Sequence, residues 1–495
     1  MNAQSTYKHA VVIGSSIAGL TAARVLTDHC ERVTIIERDI APTVKEFRKG
    51  VPQARHPHIL LKGGEQVLES LFHGLRRELF ANGALPINMG SDMDWFMLGQ
   101  WRKKFTSSIT NVACSRPLLE SAIHSRLMVH PKVTFLQESE AVGLLVDESM
   151  TRVAGIRTRS RRDQTITEIK AEIVVDASGR DSDTPRWLNA LGFPAPTEDS
   201  VTSKPGYATR IYNIPANFKE EWKAIYIQPS APDLTRGAII VPMEGNRWHV
   251  TVFGMAGDYP PTTEAGFLEF AQSLPDQRIY EAIKDATPLT EVWSFRRGEN
   301  RLRHYEQLSS YLEGFMVFGD AVYALNPVYG QGMTVAALAG MEMDKCLREQ
   351  QAAHPDGDLT GLAKAFQKQL ASVIAGPWQL ATGEDRRWNV DENITPADFP
   401  TRVIQNYMGK LFQVSLTDTS VSEAFFHVQQ MLKPPTSLFH PKVLWKVLST
   451  RTTVAKQNKL TKTTEHSAEQ QLSTRACYEL WRLVNSGDDQ KNLRQ

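Results

Sequence analysis

Three apolar runs, far apart in the chain, each end on a glycine-bearing turn. The first is Val11-Val12-Ile13-Gly14-Ser15-Ser16-Ile17-Ala18-Gly19, with Glu37 closing the next apolar run. The second is Val174-Val175-Asp176-Ala177-Ser178-Gly179-Arg180. The third is Val317-Phe318-Gly319-Asp320-Ala321, running into Asn326-Pro327-Val328-Tyr329-Gly330-Gln331-Gly332-Met333. Short runs rich in β-branched residues read as buried strands, and glycine at their ends permits a sharp turn. Such turns place backbone or a carboxylate against a cofactor. The order and spacing of the three predict an α/β chain.

The first segment is the most complete unit. A strand at His9–Ile13, a helix at Ser16–Asp28 and a strand at Arg32–Glu37 form a βαβ unit of the dinucleotide-binding type. Gly14 allows the strand-to-helix turn, and Gly19 allows the helix to lie close on the sheet. A pyrophosphate would rest on the helix N-terminus, over Ser15, Ser16, Ile17 and Ala18, where free N–H groups favour negative charge. Ser16 stands where such turns usually carry glycine, so its side chain must turn away or bond a phosphate. Glu37 sits where a carboxylate grips a ribose diol and repels a 2′-phosphate, which predicts FAD or NAD rather than NADP. The alternative for this segment alone is a strand–helix–strand without a ligand.

The bulk numbers remove other classes. The 495 residues suffice for two or three domains, and 41% apolar with 22% charged is the balance of a soluble globular protein. Lys+Arg 56 against Asp+Glu 55 gives no field to draw nucleic acid or an anionic membrane. Cys30, Cys114, Cys346 and Cys477 are far apart, with no metal-ligand spacing, and read as reduced thiols of a cytoplasmic protein. The stretch from Lys8 to Leu26 imitates a secretory signal, but its glycines and the strand that follows favour a folded start. No run is apolar and long enough to predict a spanning helix.

Further along, residues 40–63 read as an extended loop and Glu65–Phe80 as one helix. A helix follows Cys114-Ser115-Arg116-Pro117, and Val133–Leu136, Ala141–Val146 and Ala154–Thr158 read as a meander. Period-two patterning at Tyr207–Tyr212, Ala224–Ile227, Gly237–Val241 and Trp248–Phe253 predicts an antiparallel sheet. A helix is expected at Thr334–Glu349, then mainly helical chain.

Taken together, the motifs give a closer reading. With Gly14–Gly19, Asp176 beside Gly179-Arg180, and Gly319-Asp320 with Pro327 and Gly332, the chain resembles the class A FAD-dependent monooxygenases, the aromatic hydroxylase and epoxidase superfamily, over roughly residues 8 to 350. The resemblance implies a Rossmann-like FAD-binding domain of the glutathione-reductase type with an antiparallel-sheet substrate domain. It implies that Asp320 meets the ribityl or pyrophosphate part of FAD, and that the backbone of Gly332-Met333 lies beside the isoalloxazine ring. Arg116 would reach the phosphates. Arg38, Arg48, Val142, Pro327 and Gly330 complete the expected cofactor contacts.

Arg48-Lys49-Gly50-Val51-Pro52-Gln53-Ala54-Arg55-His56, with His58-Ile59-Leu60, looks like the flavin epoxidases that act on polyene precursors of polyethers. Most aromatic hydroxylases instead carry a histidine where this chain has Val322-Tyr323. The implied reaction takes one oxygen atom from O2 through a C4a-hydroperoxyflavin to an alkene or aromatic ring, with NAD(P)H as donor, directly or through a reductase. His56 and His58 suit a cofactor-edge role better than catalysis. Rivals on this fold are an aromatic hydroxylase, a prenyl-chain reductase, a halogenase and a non-catalytic prenyl carrier. Lys62 reads as a helix-start or surface lysine rather than a halogenase lysine.

The substrate pocket is expected between the flavin ring and the antiparallel sheet, lined by Trp95, Phe96, Tyr207, Thr209, Tyr226 and Phe253, for a bulky apolar small molecule. The expected layout is a cofactor domain over 1–190, with 80–106 reaching the pocket. A substrate domain over 191–295, a second cofactor part over 296–375 and a helical region over 376–495 complete it.

Overall fold

The computed structural model describes residues 7–40, 47, 51–296, 298–388, 390 and 399–450. The chain forms two compact units, residues 1–396 and 397–495. The helix Leu362–Arg386 runs through the expected boundary at 375/376 and belongs to the first unit.

Five parallel strands form the cofactor-side sheet, in the order Phe315–Val317, Ile173–Asp176, Tyr7–Ile13, Cys30–Ile36, Val133–Leu136. Their runs are unalternating because helices cover both faces of such sheets. The helix Ile17–His29 is buried along most of its surface, against the helix Gly332–Ala353 among others. A Cβ on Gly340 would come 2.5 Å from the Thr21 methyl, so that glycine sets how closely the two helices approach. Val133–Leu136 is a correction: it pairs in parallel with Cys30–Ile36 and is not part of the meander. The meander is Ser139–Val146, Val153–Ser160 and Ile166–Lys170.

A seven-stranded sheet follows the order Trp293–Phe295, Gly206–Asn213, Arg247–Gly254, Arg236–Met243, Ala224–Ile227, Met93–Met97, Gln100–Trp101. Its pairings are antiparallel except that of Ala224–Ile227 with Met93–Met97. One face carries Phe96, Ala208, Tyr212, Ile225, Ile227, Ile240, Trp248, Val250 and Val252 into a core closed by the helices Glu264–Gln272 and Arg278–Ile283.

The expected helix Glu65–Phe80 is two, Lys62–Leu71 and Leu75–Ala81. Gly74 breaks it with φ +80°, and the Glu69 carboxylate accepts from both Gly74 N and Arg76 N at 2.7 Å, capping the second helix. The expected extended loop holds a 3-10 turn at Pro52–Arg55. The second unit packs the helices Phe399–Ser415, Thr419–Gln429 and Pro441–Ser449 around Tyr407, Leu411, Val421, Leu438 and Val447. Among the described residues no helix is long and apolar enough to cross a membrane.

Candidate active site

The three glycine turns meet because their strands stop at one level. Ile13 lies opposite Asp176 on one side and Ile36 on the other, and Asp176 lies opposite Val317. Gly14 N donates to Ile36 O at 2.8 Å, Ala177 N to Ile13 O at 3.0 Å and Phe318 N to Asp176 O at 2.8 Å. Turns at the carboxyl ends of parallel strands are where α/β sheets bind ligands. Gly14 has φ +97°, and a Cβ there would stand 2.6 Å from Ala177 O. Gly319 (φ +63°) brings the third turn against Ala18, within 2.7 Å of where its own Cβ would be.

Ser16 is the N-cap of the first helix but does not cap it. Its hydroxyl donates to Glu120 Oε1 at 3.1 Å and accepts from Arg116 Nη2 at 2.6 Å. The serine therefore turns aside, as one of its two expected options, and leaves the first-turn N–H groups for another acceptor. Arg116 also reaches Glu120 through Nε at 2.8 Å and His58 Nε2 through Nη1 at 2.9 Å. Since a guanidinium only donates, His58 Nε2 must accept, and its Nδ1 proton goes to His56 O at 2.8 Å. Burial and the Arg116 charge hold His58 well below the usual histidine range, consistent with that neutral tautomer.

Glu37 is buried and accepts from Ser15 N at 3.0 Å, Ser15 Oγ at 2.6 Å and Asp39 N at 3.0 Å. Asp176, fully buried, accepts from Ser178 N, Ser182 Oγ and Thr184 Oγ1 and so organises the second turn itself. Asp320 is exposed, just past the end of its strand among the charges of Arg180, Arg116 and Arg301. Desolvation by the surrounding protein raises its pKa, opposed by those three arginines. A Cβ on Gly179 or Gly332 would meet nothing within 4 Å. Val142 is the bulged residue of its strand, Arg38 is exposed, and Arg48 lies outside the described residues.

The segment Val51–Leu61 joins this cradle to the seven-stranded sheet. His56 Nδ1 bonds Thr209 Oγ1 at 2.7 Å, and His249 Nε2 bonds Arg55 O at 2.8 Å. Leu61 N donates to Thr334 Oγ1 at 3.1 Å, and Ile59 lies 3.6 Å from where a Cβ of Gly330 would be. Burial pushes His56 and His249 each down to about 4, so both are neutral structural links.

On the face of that sheet opposite the Phe96 core, cross-strand register puts Tyr226 beside Trp95 and Tyr207 between Phe253 and Phe295. Ring centroids are 5.4 Å apart for Trp95–Tyr226, 6.2 Å for Tyr226–Phe253 and 6.1 Å for Tyr207–Phe253. Two expected lining residues are corrected. Phe96 points into the opposite core, 5.2 Å from Trp101, because neighbours on a strand face opposite sides. Thr209 faces the right way but is sealed beneath His56, its hydroxyl also bonded to Thr251 Oγ1.

A buried polar cluster escaped the sequence reading. Asp385 Oδ atoms accept from Asn300 Nδ2 (2.6 Å), Asn326 Nδ2 (3.1 Å) and Tyr329 OH (2.6 Å), while Asn326 Oδ1 accepts from Tyr207 OH. Asp385 sits in ordinary amphipathic helix sequence, with no local signal for its role. Neighbouring Glu384, its carboxyl raised by burial and held back by Arg387, acts on Tyr226, whose phenol burial pushes up. Lys62 begins a helix and donates to Glu65 Oε1 at 2.7 Å and Thr110 O at 3.1 Å. Burial pushes the Cys30 and Cys114 thiols up to about 12 and Cys346 to about 11, which keeps them protonated and inert. Among the described residues no cluster could hold a metal ion.

Residues 7–350 match the FAD binding domain family. Protein Rv3254 of Mycobacterium tuberculosis is 33% identical over 391 residues, 75% of this chain and 79% of its own length. The p-nitrophenol 4-monooxygenase PnpA of Pseudomonas putida DLL-E4 superposes with TM-score 0.61 at 16% identity, over 86% of this chain and 98% of its own. A flavoprotein/dehydrogenase of Cytophaga hutchinsonii does so with TM-score 0.61 at 15% identity, over 89% and 95%. The chain belongs to the FAD binding domain family of class A flavoprotein monooxygenases, and FAD is its cofactor. The cradle fits that group. Its first helix is uncapped, Gly179 and Gly332 open onto empty space, and the Gln331 side-chain oxygen is buried without a donor among the described residues.

Proposed function

We propose that this monooxygenase transfers one oxygen atom of O2 to a bulky apolar substrate, as epoxidation of an alkene. NAD(P)H supplies the electrons, directly or through a reductase. Bound FAD supplies reductive activation of O2 and an electrophilic oxygen. The first-turn N–H groups after Gly14 and the Arg116 guanidinium hold the pyrophosphate, Glu37 holds the ribose, and Asp320 faces the ribityl side. The backbone of Gly330–Met333 borders the ring.

The observation that carries the substrate class is the contiguous aromatic wall of Trp95, Tyr226, Phe253, Tyr207 and Phe295. It offers stacking area and excludes water, while His56 and His249 are neutral and committed to structural bonds. An alkene needs no base; it needs a dry, oriented approach to the oxygen. Glu384 favours a second reading, aromatic hydroxylation, because a carboxylate of raised pKa near Tyr226 suits a proton acceptor for a phenol.

The test is anaerobic reduction with NADH or NADPH, then oxygen, with candidate alkenes and phenols present, followed by product mass and structure. Gain of one oxygen as an epoxide, undiminished in Glu384→Gln, supports the first reading. A phenolic product lost in that variant supports the second, and gain of halogen or of two hydrogens overturns both.

A further inference from the structure

We infer that Asp385 is the positioning residue that fixes the turn bordering the flavin ring and locks the substrate wall to it. The residue lies on the helix Leu362–Arg386, outside the segment that carries the family motifs. It is fully buried, and it gathers side chains from separate places in the chain. Asn300 belongs to a short strand, Asn326 and Tyr329 to the turn before Gly330, and Ser203 to the approach to the substrate sheet.

The orientation of Asn326 is what Asp385 decides. A carboxylate only accepts, so the Asn326 amide must present its NH2 to Asp385, at 3.1 and 3.2 Å. Its carbonyl oxygen is thereby turned the other way, where it accepts from Tyr207 OH and from Val328 N at 3.2 Å. The Val328 bond caps the 3-10 turn Pro327–Tyr329, and that turn delivers Gly330 in the left-handed conformation, φ +66°, immediately before Gln331–Met333. The Asn326 backbone is held as well, its N–H donating to Asn300 Oδ1 at 2.8 Å.

Tyr207 is the other half of the device. Its hydroxyl is anchored on Asn326 while its ring stands 6.1 Å from both Phe253 and Phe295 in the wall. One carboxylate therefore sets both the loop at the flavin edge and the wall facing it. Desolvation raises the Asp385 pKa, and the donors from Tyr329, Asn326, Ser203 and Asn300 pull it back, so the cluster is a satisfied network rather than a bare charge.

The test uses full-length, FAD-loaded enzyme, reading the visible spectrum of the bound flavin and the rate of FAD release. Asp385→Asn places an NH2 group among donors. We expect about tenfold faster release and a shifted flavin band, in a protein that keeps its far-ultraviolet spectrum. Tyr329→Phe removes one donor and should give about threefold. The double variant Asp385→Asn/Asn326→Asp exchanges amide and carboxylate across the same contact and should recover release to within about twofold of the parent. Folded Asp385→Asn with unaltered release and spectrum, its melting temperature alone lowered, would overturn the proposal. If Asp385→Asn does not fold, Tyr329→Phe decides: an unchanged flavin band and release rate reject positioning, and a shift in both supports it.

Discussion

The parallel sheet and the seven-stranded sheet each offer a surface to the site, built from different atoms. At the strand ends around Gly14, Ala177 and Phe318 the working parts are close backbone packing, which leaves no room for a Cβ on Gly14, and the uncapped N–H groups of the first helix turn. On the other sheet they are ring faces projecting from alternate residues. The first surface tolerates almost no side chain. The second is all side chain, over a backbone any β-branched or aromatic residue could supply. The difference teaches where each surface is brittle: the cradle at single glycines, the wall at the register that decides which residue faces out.

The most severe break is Gly14→Val. A Cβ 2.6 Å from Ala177 O and a left-handed backbone together cost more than about 2 kcal/mol, and the protein should purify without FAD. Flavin content per chain measures it; a yellow, stoichiometric variant would erase the contrast. Phe96→Ala and Tyr226→Ala then separate the two faces of the wall. The first should lose about 3 kcal/mol or more of stability in denaturant melts with its flavin spectrum unchanged. The second should keep more of its stability and raise KM for the apolar substrate.

Acid probes the hinge between the surfaces. His56 and His249 titrate near 4 when folded and near 6.5 when unfolded, so the unfolded chain binds more protons between those values. Their contribution is complete above pH 6.5 and declines as pH falls to about 4, by up to a few kcal/mol. Melting temperature against pH reads the decline, and His249→Gln, which keeps a donor for Arg55 O, should flatten it. Arg116→Ala should weaken FAD binding about tenfold by titration, with lysine restoring little because the contacts to Ser16, Glu120 and His58 use the guanidinium fork. Smallest of all is Arg162→Ala, an exposed partner of Glu138, with less than about 0.5 kcal/mol expected and no change at the flavin.

The same contrast explains what could be read in advance. Gly14, Gly19, Gly319 and Gly330 were legible because few residues fit a left-handed turn or a close backbone approach, so the letter itself carries the geometry. The strand Val133–Leu136 was found as a strand but assigned to the wrong sheet, since an apolar run does not name its partner. Trp95 and Phe96 were grouped together although a strand must part them, and only the observed pairing with Tyr226 says which turns to the site. Asp385 carries no pattern at all. Its meaning lies in Asn300, Asn326 and Tyr329, which the sequence keeps up to 85 residues away.

One consequence follows from three strands stopping at one level. The turns after Ile13, Asp176 and Val317 come from chain segments separated by more than a hundred residues, and in the binding mode proposed above a single dinucleotide touches all of them only when every strand is in place. FAD then acts as a rivet through the sheet, and its binding free energy is added to the stability of the fold by mass action. Supply of the vitamin precursor thereby becomes a control on how much of this enzyme a cell can keep intact.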